Sequence, residues 1–135
     1  MALKYFIFVL IACPFLINGK VELPPEFLKW AQQLHTDCAT ERKLSEGDIK
    51  SFDISKKDAP MMCYVKCLFT HAHWVDENEV VQTDFIKNNV PDPVKSVTLP
   101  NLDACAKKAV GADCEKSYNF FMCMHEAFPE DWVLL

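Results

Sequence analysis

The segment MMCYVKCLFTHAHW, residues 61–74, decides how the rest of the chain is interpreted, because its residue types fit two different structures. Thiol and imidazole groups, which zinc prefers, stand close together at Cys63, Cys67, His71 and His73. The same two cysteines could instead form disulfides, with the histidines as ordinary surface side chains. The first interpretation predicts a metal site, and the second predicts a cross-linked scaffold.

The N-terminus indicates that the protein is secreted. Lys4 precedes an uninterrupted apolar run over residues 5–17, and Gly19 offers a small residue for cleavage. This is the pattern of a secretory signal peptide, and its apolar run is too short to span a bilayer. We therefore predict that residues 1–19 are removed, and that residues 20–135 form one secreted, extracellular domain without membrane insertion.

The secretory compartment in turn decides the state of the cysteines. Cys13 leaves with the signal peptide, and an even set of cysteines in a small secreted chain predicts three disulfides. Cys63 and Cys67 project from the same helix face, a poor arrangement for a bond to each other, so each should reach a different element. Several pairings remain open at this point. The cysteines concerned are Cys38, Cys63, Cys67, Cys105, Cys114 and Cys123.

The metal and enzyme interpretations are both unfavourable. Cys63, Cys67 and His71 would spread their ligand atoms over about 12 Å along one helix, too far for a single ion. Thiols in the secretory pathway are also preferentially oxidised. The chain has no nucleophile elbow and no H-E-x-x-H helix, and the neighbours His125 and Glu126 point apart on a helix. We predict no metal, no cofactor, no catalytic residue and no enzymatic activity.

The acidic composition excludes two classes of partner. The chain has 14 basic and 19 acidic residues, a net charge of −5 that becomes one unit more negative when Lys4 is removed. Nucleic acids and anionic membranes are bound by basic patches. Neither is therefore a predicted partner.

The residue pattern favours an all-α fold, a compact bundle of about six helices, because glycine is scarce and no alternating β-branched run stands out. The first helix opens at residues 24–25 and carries an apolar stripe over residues 27–38. Ser45 and Asp48 form a predicted capping box for a short second helix. Asp58 is the predicted cap of the third helix, which runs through the MMCYVKCLFTHAHW segment to about its end.

The second half of the chain predicts three more helices. A short fourth helix covers residues 81–90, and a fifth covers residues 92–111 with a break or kink near Pro100. Asp113 is the predicted cap of the sixth helix, which Pro129 ends. Aromatic and methionine side chains surround this last helix almost completely, so it should lie buried at the centre of the bundle.

The cysteine spacing resembles that of the insect odorant-binding proteins. From Cys38 onwards, successive cysteines are separated by 24, 3, 37, 8 and 8 residues. This order, together with the CYVKCLF segment and the signal peptide, resembles that of the six-cysteine subgroup of pheromone-binding and general odorant-binding proteins. The resemblance covers essentially the whole mature chain. The resemblance implies a bundle around an internal hydrophobic cavity and three interlaced disulfides: Cys38–Cys67, Cys63–Cys114 and Cys105–Cys123.

The resemblance also implies a function. It predicts a secreted carrier that reversibly binds and solubilises small hydrophobic odorants or pheromones and delivers them through sensillum lymph to chemosensory receptors. Besides the small ligand, an odorant receptor and a second copy of the chain are candidate partners. Two alternatives stay open: a non-olfactory extracellular carrier of fatty acids or other lipids with the same fold, and a cavity-free, disulfide-rich interaction or defence protein.

By the same resemblance, apolar and aromatic side chains form the cavity wall, where their adaptable surfaces suit a hydrophobic ligand. Tyr64, Tyr118, Thr98 or a histidine is expected to orient the ligand. For each wall residue, a place in the ordinary core is the alternative. The predicted ligand-binding residues are Tyr64, Leu68, Trp74, Ile86, Val90, Leu99, Leu102, Tyr118, Phe121, Met122, Met124, Trp132 and Val133.

The C-terminal tail, residues 129–135, ends in the apolar sequence DWVLL. Burial of Val133 and Leu134 would contribute roughly 1.5–3 kcal/mol each, so we expect the tail to fold over the cavity, with a disordered terminus as the alternative. Acidification is expected to release a docked tail, because carboxylates lose native hydrogen bonds and histidines gain charge. The histidines concerned are His35, His71, His73 and His125.

Overall fold

A computed structural model of the chain describes residues 22–132. Within that range there are six helices and no β-strand, apart from an isolated antiparallel bridge between Val75 and Val81. The predicted all-α fold of about six helices is confirmed, whereas the predicted signal peptide lies outside the described residues. The helices are α1 Pro25–Arg42, α2 Glu46–Lys50, α3 Ala59–His71, α4 Thr83–Asn89, α5 Asp92–Ala106 and α6 Glu115–Ala127.

Helix α6 lies at the centre of the packing. It contacts α3 and α5, while α1 packs against α3 and α4 packs against α5. Its side chains Ser117, Tyr118, Phe120, Phe121 and Met124 are all buried. The prediction of a central, buried last helix is therefore confirmed. None of the helices within residues 22–132 has both the length and the apolar character needed to cross a membrane.

In the described part of the chain, the core consists of three apolar clusters. The largest joins α3, α4, α5 and α6 around Phe120. A second cluster joins α1, α2 and α3 around Tyr64, and a third is built on the valines at positions 90, 94 and 97. The N-terminal half of α1 lines a cavity instead, and that cavity is the candidate functional site.

Three disulfides cross-link the helices: Cys38–Cys67 joins α1 to α3, Cys63–Cys114 joins α3 to the start of α6, and Cys105–Cys123 joins α5 to α6. This is the pairing that the family resemblance implies. Helix α3 is bound to two different neighbours because Cys63 and Cys67 share a face but reach different partners.

The predicted end of helix α5 and the predicted break within it differ from the structure. Helix α5 ends at Ala106 rather than at Gly111, because the following residues make tighter i→i+3 hydrogen bonds and Val110 is left 63% exposed with no core to cover it. The helix also continues through Pro100 without the expected break, while the alternative of a kink stays a prediction. Buried side chains on both sides of the proline, such as Val97 and Leu102, pack this helix into the core.

The predicted caps have mixed outcomes. Ser45 and Asp48 form the expected capping box, with backbone to side-chain bonds in both directions. Asp58 occupies the N-cap position of α3 but makes no capping hydrogen bond with its side chain. Asp113 is not the cap of α6, whose N-cap is Cys114, because the Asp113 carboxylate instead pairs with Lys66 Nζ at 2.5 Å.

Candidate ligand-binding site

A cavity of about 340 Å³ lies between α1, α3, α5, α6 and the segment that follows α6. Its volume is near the lower end of the roughly 300–1,000 Å³ range of small-molecule sites. Apart from two carboxylates, the lining side chains that the structure describes are apolar or aromatic, which favours a hydrophobic ligand. The lining residues are Leu23, Phe27, Leu28, Trp30, Ala31, Leu34, Val65, Leu68, Phe69, Ala72, Trp74, Val94, Val97, Phe121, Glu130, Asp131 and Trp132.

The N-terminal half of α1 forms one wall of this cavity. Phe27, Ala31 and Leu34 recur at three- and four-residue spacing, which places them on one helix face. Ala31 is buried, whereas Leu28 and Trp30 are 41% and 39% exposed. Two large apolar side chains of this wall therefore remain partly in water.

The inner wall is an aromatic cluster made of Phe69, Trp74, Phe121 and Trp132. The rings of Phe69 and Trp74 are stacked, with centroids 6.0 Å apart. Trp132 lies 5.7 Å from Trp74 and 6.3 Å from Phe121, centroid to centroid. These spacings are typical of favourable aromatic pairs, so the cluster gives the cavity a firm, polarizable side.

The described part of the predicted tail, residues 129–132, folds back against the cavity. The indole Nε1 of Trp132 donates a 2.9 Å hydrogen bond to the carbonyl oxygen of Val97. The carbonyl oxygen of Trp132 lies 2.6 Å from Nδ1 of His125, and because a carbonyl can only accept, Nδ1 is the donor. The backbone N–H of Trp132 bonds to the carbonyl oxygen of Phe128, which closes a tight turn after α6.

The structure brings four of the predicted ligand-binding residues together on the cavity wall: Leu68, Trp74, Phe121 and Trp132. The others lie away from the wall. Tyr64 belongs to the α1–α2–α3 cluster and Val90 to the valine cluster. The remaining residues lie in the central core or pack against it: Ile86, Leu102, Tyr118, Met124, Leu99 and Met122. Val133 lies outside the described residues. Ligand contact stays a prediction for the whole set.

The tyrosines that were expected to orient a ligand are engaged within the protein. The Tyr64 hydroxyl lies 2.7 Å from Nδ1 of His35, whose Nε2 is 2.5 Å from Glu46 Oε1. The Tyr118 hydroxyl donates to a backbone carbonyl of the loop before α3. Burial, with a smaller contribution from nearby carboxylates, raises the pKa of both phenols. Thr98 is likewise fully buried on α5 and is not part of the cavity wall.

Glu79 is a buried carboxylate that the residue pattern did not single out. It lies in the loop between α3 and α4, only 3% exposed, and accepts hydrogen bonds from the N–H groups of Cys114 at 2.9 Å and Ser117 at 3.1 Å. The positive end of a helix dipole stabilises an anion at this position. Glu79 therefore caps α6 from a distant loop, a role that no local sequence signal could indicate.

The residues around Cys67 do not fit a zinc site. Glu41 and His71 lie beside the Cys38–Cys67 disulfide, with all four potential ligand atoms within 4.8 Å of one another. The sulfurs are joined to each other, and a metal binds the thiolate, not the disulfide. Among residues 22–132, one carboxylate and one imidazole remain in this group, fewer protein ligands than zinc takes in proteins. The His73 ring points elsewhere, with its centroid 6.1 Å from that of Phe85.

Comparison with known proteins agrees with this arrangement. A model of the PBP/GOBP family matches residues 20–127, most of the chain. Among solved structures, that of odorant-binding protein 4 from the natural predator Chrysopa pallens has a TM-score of 0.72 and 21% sequence identity, and the alignment covers 84% of this chain and 100% of that one. The structural likeness shows a shared fold.

Family membership carries general properties with it. Proteins of the PBP/GOBP family are secreted carriers of small ligands, not enzymes, and the three disulfides agree with an extracellular location. The family match over residues 20–127 agrees with the six-cysteine framework and with the six helices. The chain belongs to the PBP/GOBP family, the pheromone-binding and general odorant-binding proteins of insects.

Proposed function

We propose that the protein binds one small hydrophobic odorant or pheromone reversibly in the cavity, and carries it through aqueous sensillum lymph to chemosensory receptors. The observation that carries this proposal is the cavity itself, about 340 Å³ of space with apolar and aromatic walls. Transfer of a ligand out of water would be driven by burial of apolar surface, at roughly 25 cal/mol per Å². No bond in the ligand is made or broken.

The proposed ligand contacts are Leu68, Trp74, Phe121 and Trp132, which come from three different parts of the chain. On α1, Leu28 and Trp30 also line the cavity and are 41% and 39% exposed. A ligand that enters past Leu28 and Trp30 would cover apolar surface that water now reaches. Ligand uptake would therefore stabilise the folded protein by mass action.

The C-terminal tail, residues 129–135, is proposed to close one side of the cavity. Support comes from its first part, where the Trp132 side chain and carbonyl group are bonded to Val97 and His125 respectively. Those two bonds hold the chain at the cavity edge at the point where Val133 begins.

Ligand release at acidic pH is also proposed, with His35 as the sensor. Because the Glu46 carboxylate accepts from Nε2, the neutral ring presents Nδ1 as an acceptor to the Tyr64 hydroxyl. Protonation turns Nδ1 into a donor, so the Tyr64 hydroxyl must reorient. Tyr64 adjoins Val65, a cavity-lining residue of the same helix. His125, by contrast, donates from Nδ1 in both of its states, so acid would leave its bond to the tail intact.

The release proposal is tested by measuring ligand affinity at about pH 7 and about pH 5. The natural protein should bind more weakly at the lower pH, and His35→Gln should lose most of that difference. Removal of residues 132–135 should lower affinity at both values without changing the pH dependence. An unchanged pH dependence in His35→Gln would remove His35 as the sensor.

The carrier function is tested by titrating a neutral fluorescent hydrophobic probe into the purified mature protein. Ala31→Leu and Ala72→Leu each place extra volume in the cavity and should weaken binding at least about fivefold. The matched control is Ala127→Leu on the exposed end of α6, which should bind as the natural protein does. A natural protein that unfolds cooperatively but takes up no probe would contradict the proposal.

Delivery to receptors needs a separate test, because binding alone does not show where the carrier works. The transcript and protein are expected in antennal sensilla. Expression confined to gut, saliva or haemolymph would contradict an olfactory role and leave a general carrier of hydrophobic molecules.

A further inference from the structure

We propose that the cavity covers ligands of up to about 11–14 non-hydrogen atoms, the size of decanol to tridecanol, and leaves the rest of a longer chain in water. This inference rests on the proposed carrier function and names the size class of ligand for the same cavity. It starts from three features of the site: its volume, the packed core behind its wall, and the disulfides that join the helices of the wall.

The volume of the cavity, about 340 Å³, sets the expected size of the ligand. A protein cavity of about 150 Å³ holds benzene, which has six carbon atoms, and a water molecule occupies about 30 Å³ in the liquid. By proportion to either reference, the cavity has room for about 11–14 non-hydrogen atoms. Hexadecanol, with seventeen such atoms, would therefore keep several carbon atoms outside the cavity.

The inner wall is backed by packed core side chains. Val65, Phe69 and Phe121 line the cavity and also belong to the central core cluster, where all three are buried. Behind them, the ring of the fully buried Phe120 lies 5.5 Å from that of Phe69, centroid to centroid. Because protein cores are packed as densely as organic crystals, a ligand can extend in this direction only by displacing core side chains.

The disulfides oppose an expansion of the cavity. Among the described helices, α1, α3, α5 and α6 contribute to its wall. Cys38–Cys67 joins α1 to α3, Cys63–Cys114 joins α3 to the start of α6, and Cys105–Cys123 joins α5 to α6. These four helices therefore form one covalently cross-linked set. Moving them apart to admit a longer ligand would work against these links as well as against the packing of the core.

Two alanines and a leucine of the wall allow the size of the cavity to be changed in both directions. Ala31 on α1 and Ala72 at the end of α3 are buried and line the cavity. Leucine at either position adds three carbon atoms to the wall and takes that volume from the ligand. Leu34, about one turn along α1 from Ala31, offers the opposite change, because Leu34→Ala removes three carbon atoms from the wall.

The test measures the affinity of the mature protein for straight-chain alcohols from hexanol to hexadecanol by displacement of a small neutral fluorescent probe. Each alcohol is used below its solubility limit. Every methylene group that enters the cavity should raise the affinity about fourfold. That gain should end between decanol and tridecanol and then fall below about 1.5-fold per methylene group, because the additional carbon atoms stay in water.

Variants of the wall should move this limit. In Ala31→Leu the longest alcohol that still gains affinity should be shorter by about three carbon atoms, and in Leu34→Ala it should be longer by about three. Ala72→Leu repeats the first change on a different helix. The matched controls, Ala127→Leu and Val110→Ala, change exposed side chains outside the cavity and should keep the natural limit. A thermal unfolding curve for each variant shows whether it is folded.

The outcomes separate this inference from the carrier function. An affinity that keeps rising about fourfold per methylene group through hexadecanol would overturn the size limit, while the cavity would still bind hydrophobic molecules. A limit that stays at the same alcohol in every folded wall variant would also overturn it, because the cavity would then not set the limit. A natural protein that binds neither the probe nor any of the alcohols would overturn the carrier function and this inference with it.

Discussion

The indole nitrogen of Trp132 is bonded to the backbone carbonyl oxygen of Val97 at 2.9 Å, which ties the chain after α6 to the middle of α5. Both residues line the cavity. One hydrogen bond outside any helix therefore fixes the separation between two parts of the wall. The cavity depends on this contact as well as on the helices and disulfides.

Trp132→Phe should loosen that wall while keeping an aromatic ring at the position. The variant loses the donor to Val97, and a typical internal hydrogen bond contributes about 1 kcal/mol. We expect a similar loss in the free energy of unfolding and a several-fold weaker affinity for a hydrophobic probe. Val110→Ala, which changes an exposed apolar residue away from the cavity, should affect neither. Natural affinity in Trp132→Phe would show that the bond does not shape the site.

Glu79→Gln should destabilise the fold without touching the cavity. Two N–H groups at the start of α6 bond to the buried carboxylate, and the amide keeps only one acceptor oxygen and no charge. The expected loss in the free energy of unfolding in urea is roughly 1–3 kcal/mol. The exposed neighbour Glu77 provides the control, since Glu77→Gln should change stability by less than about 0.5 kcal/mol. Equal stability of the two variants would argue against the cap.

The disulfides should differ in their contribution to stability. Cys63–Cys114 joins residues 51 apart, whereas Cys105–Cys123 joins residues only 18 apart. The chain-entropy account predicts a loss of about 4 kcal/mol when the first is replaced by alanines and about 3 kcal/mol for the second. Urea unfolding of the two double-alanine variants measures which disulfide contributes more to the free energy of unfolding. The reverse order would show that local packing outweighs loop closure here.

High pH should unfold the protein as its tyrosines ionise. Burial raises the pKa of Tyr64 and Tyr118 above the ordinary value of 10.0, so the folded state holds these protons more tightly than the unfolded state. The corresponding stability is fully present below about pH 10 and is lost as pH rises through the raised pKa values. The third tyrosine, Tyr5, lies in the predicted signal peptide.

The prediction is tested by recording tyrosinate absorbance and the helical circular dichroism signal of the mature protein in one pH titration. The absorbance should rise only as the helical signal falls. Full ionisation near pH 10 with an intact helical signal would contradict the burial of the two phenols.

Much of the scaffold could be predicted from the sequence because it depends on local spacing. The four-residue step between Cys63 and Cys67 puts both on one face of α3, which is why that helix is bound to two neighbours. Ser45 and Asp48 are three residues apart, so their capping box is a property of one short segment. Asp113 was predicted as the cap of α6 because it lies just before that helix. The N–H group of Cys114 bonds instead to Glu79, which is 35 residues away in sequence.

The cavity wall was harder to predict because core and wall use the same residue types. On α6, Phe121, Tyr118 and Met124 all belong to the central core cluster, yet only Phe121 also lines the cavity, a distinction that composition does not set. The apolar stripe of α1 was recognised from its spacing, yet nothing local indicated that Phe27 and Leu34 border a space and not another helix. The sequence likewise did not predict that Glu130 and Asp131 line the cavity, because their position depends on the turn that follows Phe128.

The most direct measurement of the central claim is a crystal structure of the mature protein with a bound hydrophobic ligand whose solution affinity is known. We predict electron density for one ligand per chain between α1 and the aromatic cluster, in contact with Leu68, Phe121 and Trp132. Density elsewhere on the molecule, or an empty cavity at ligand concentrations that saturate binding in solution, would contradict the account.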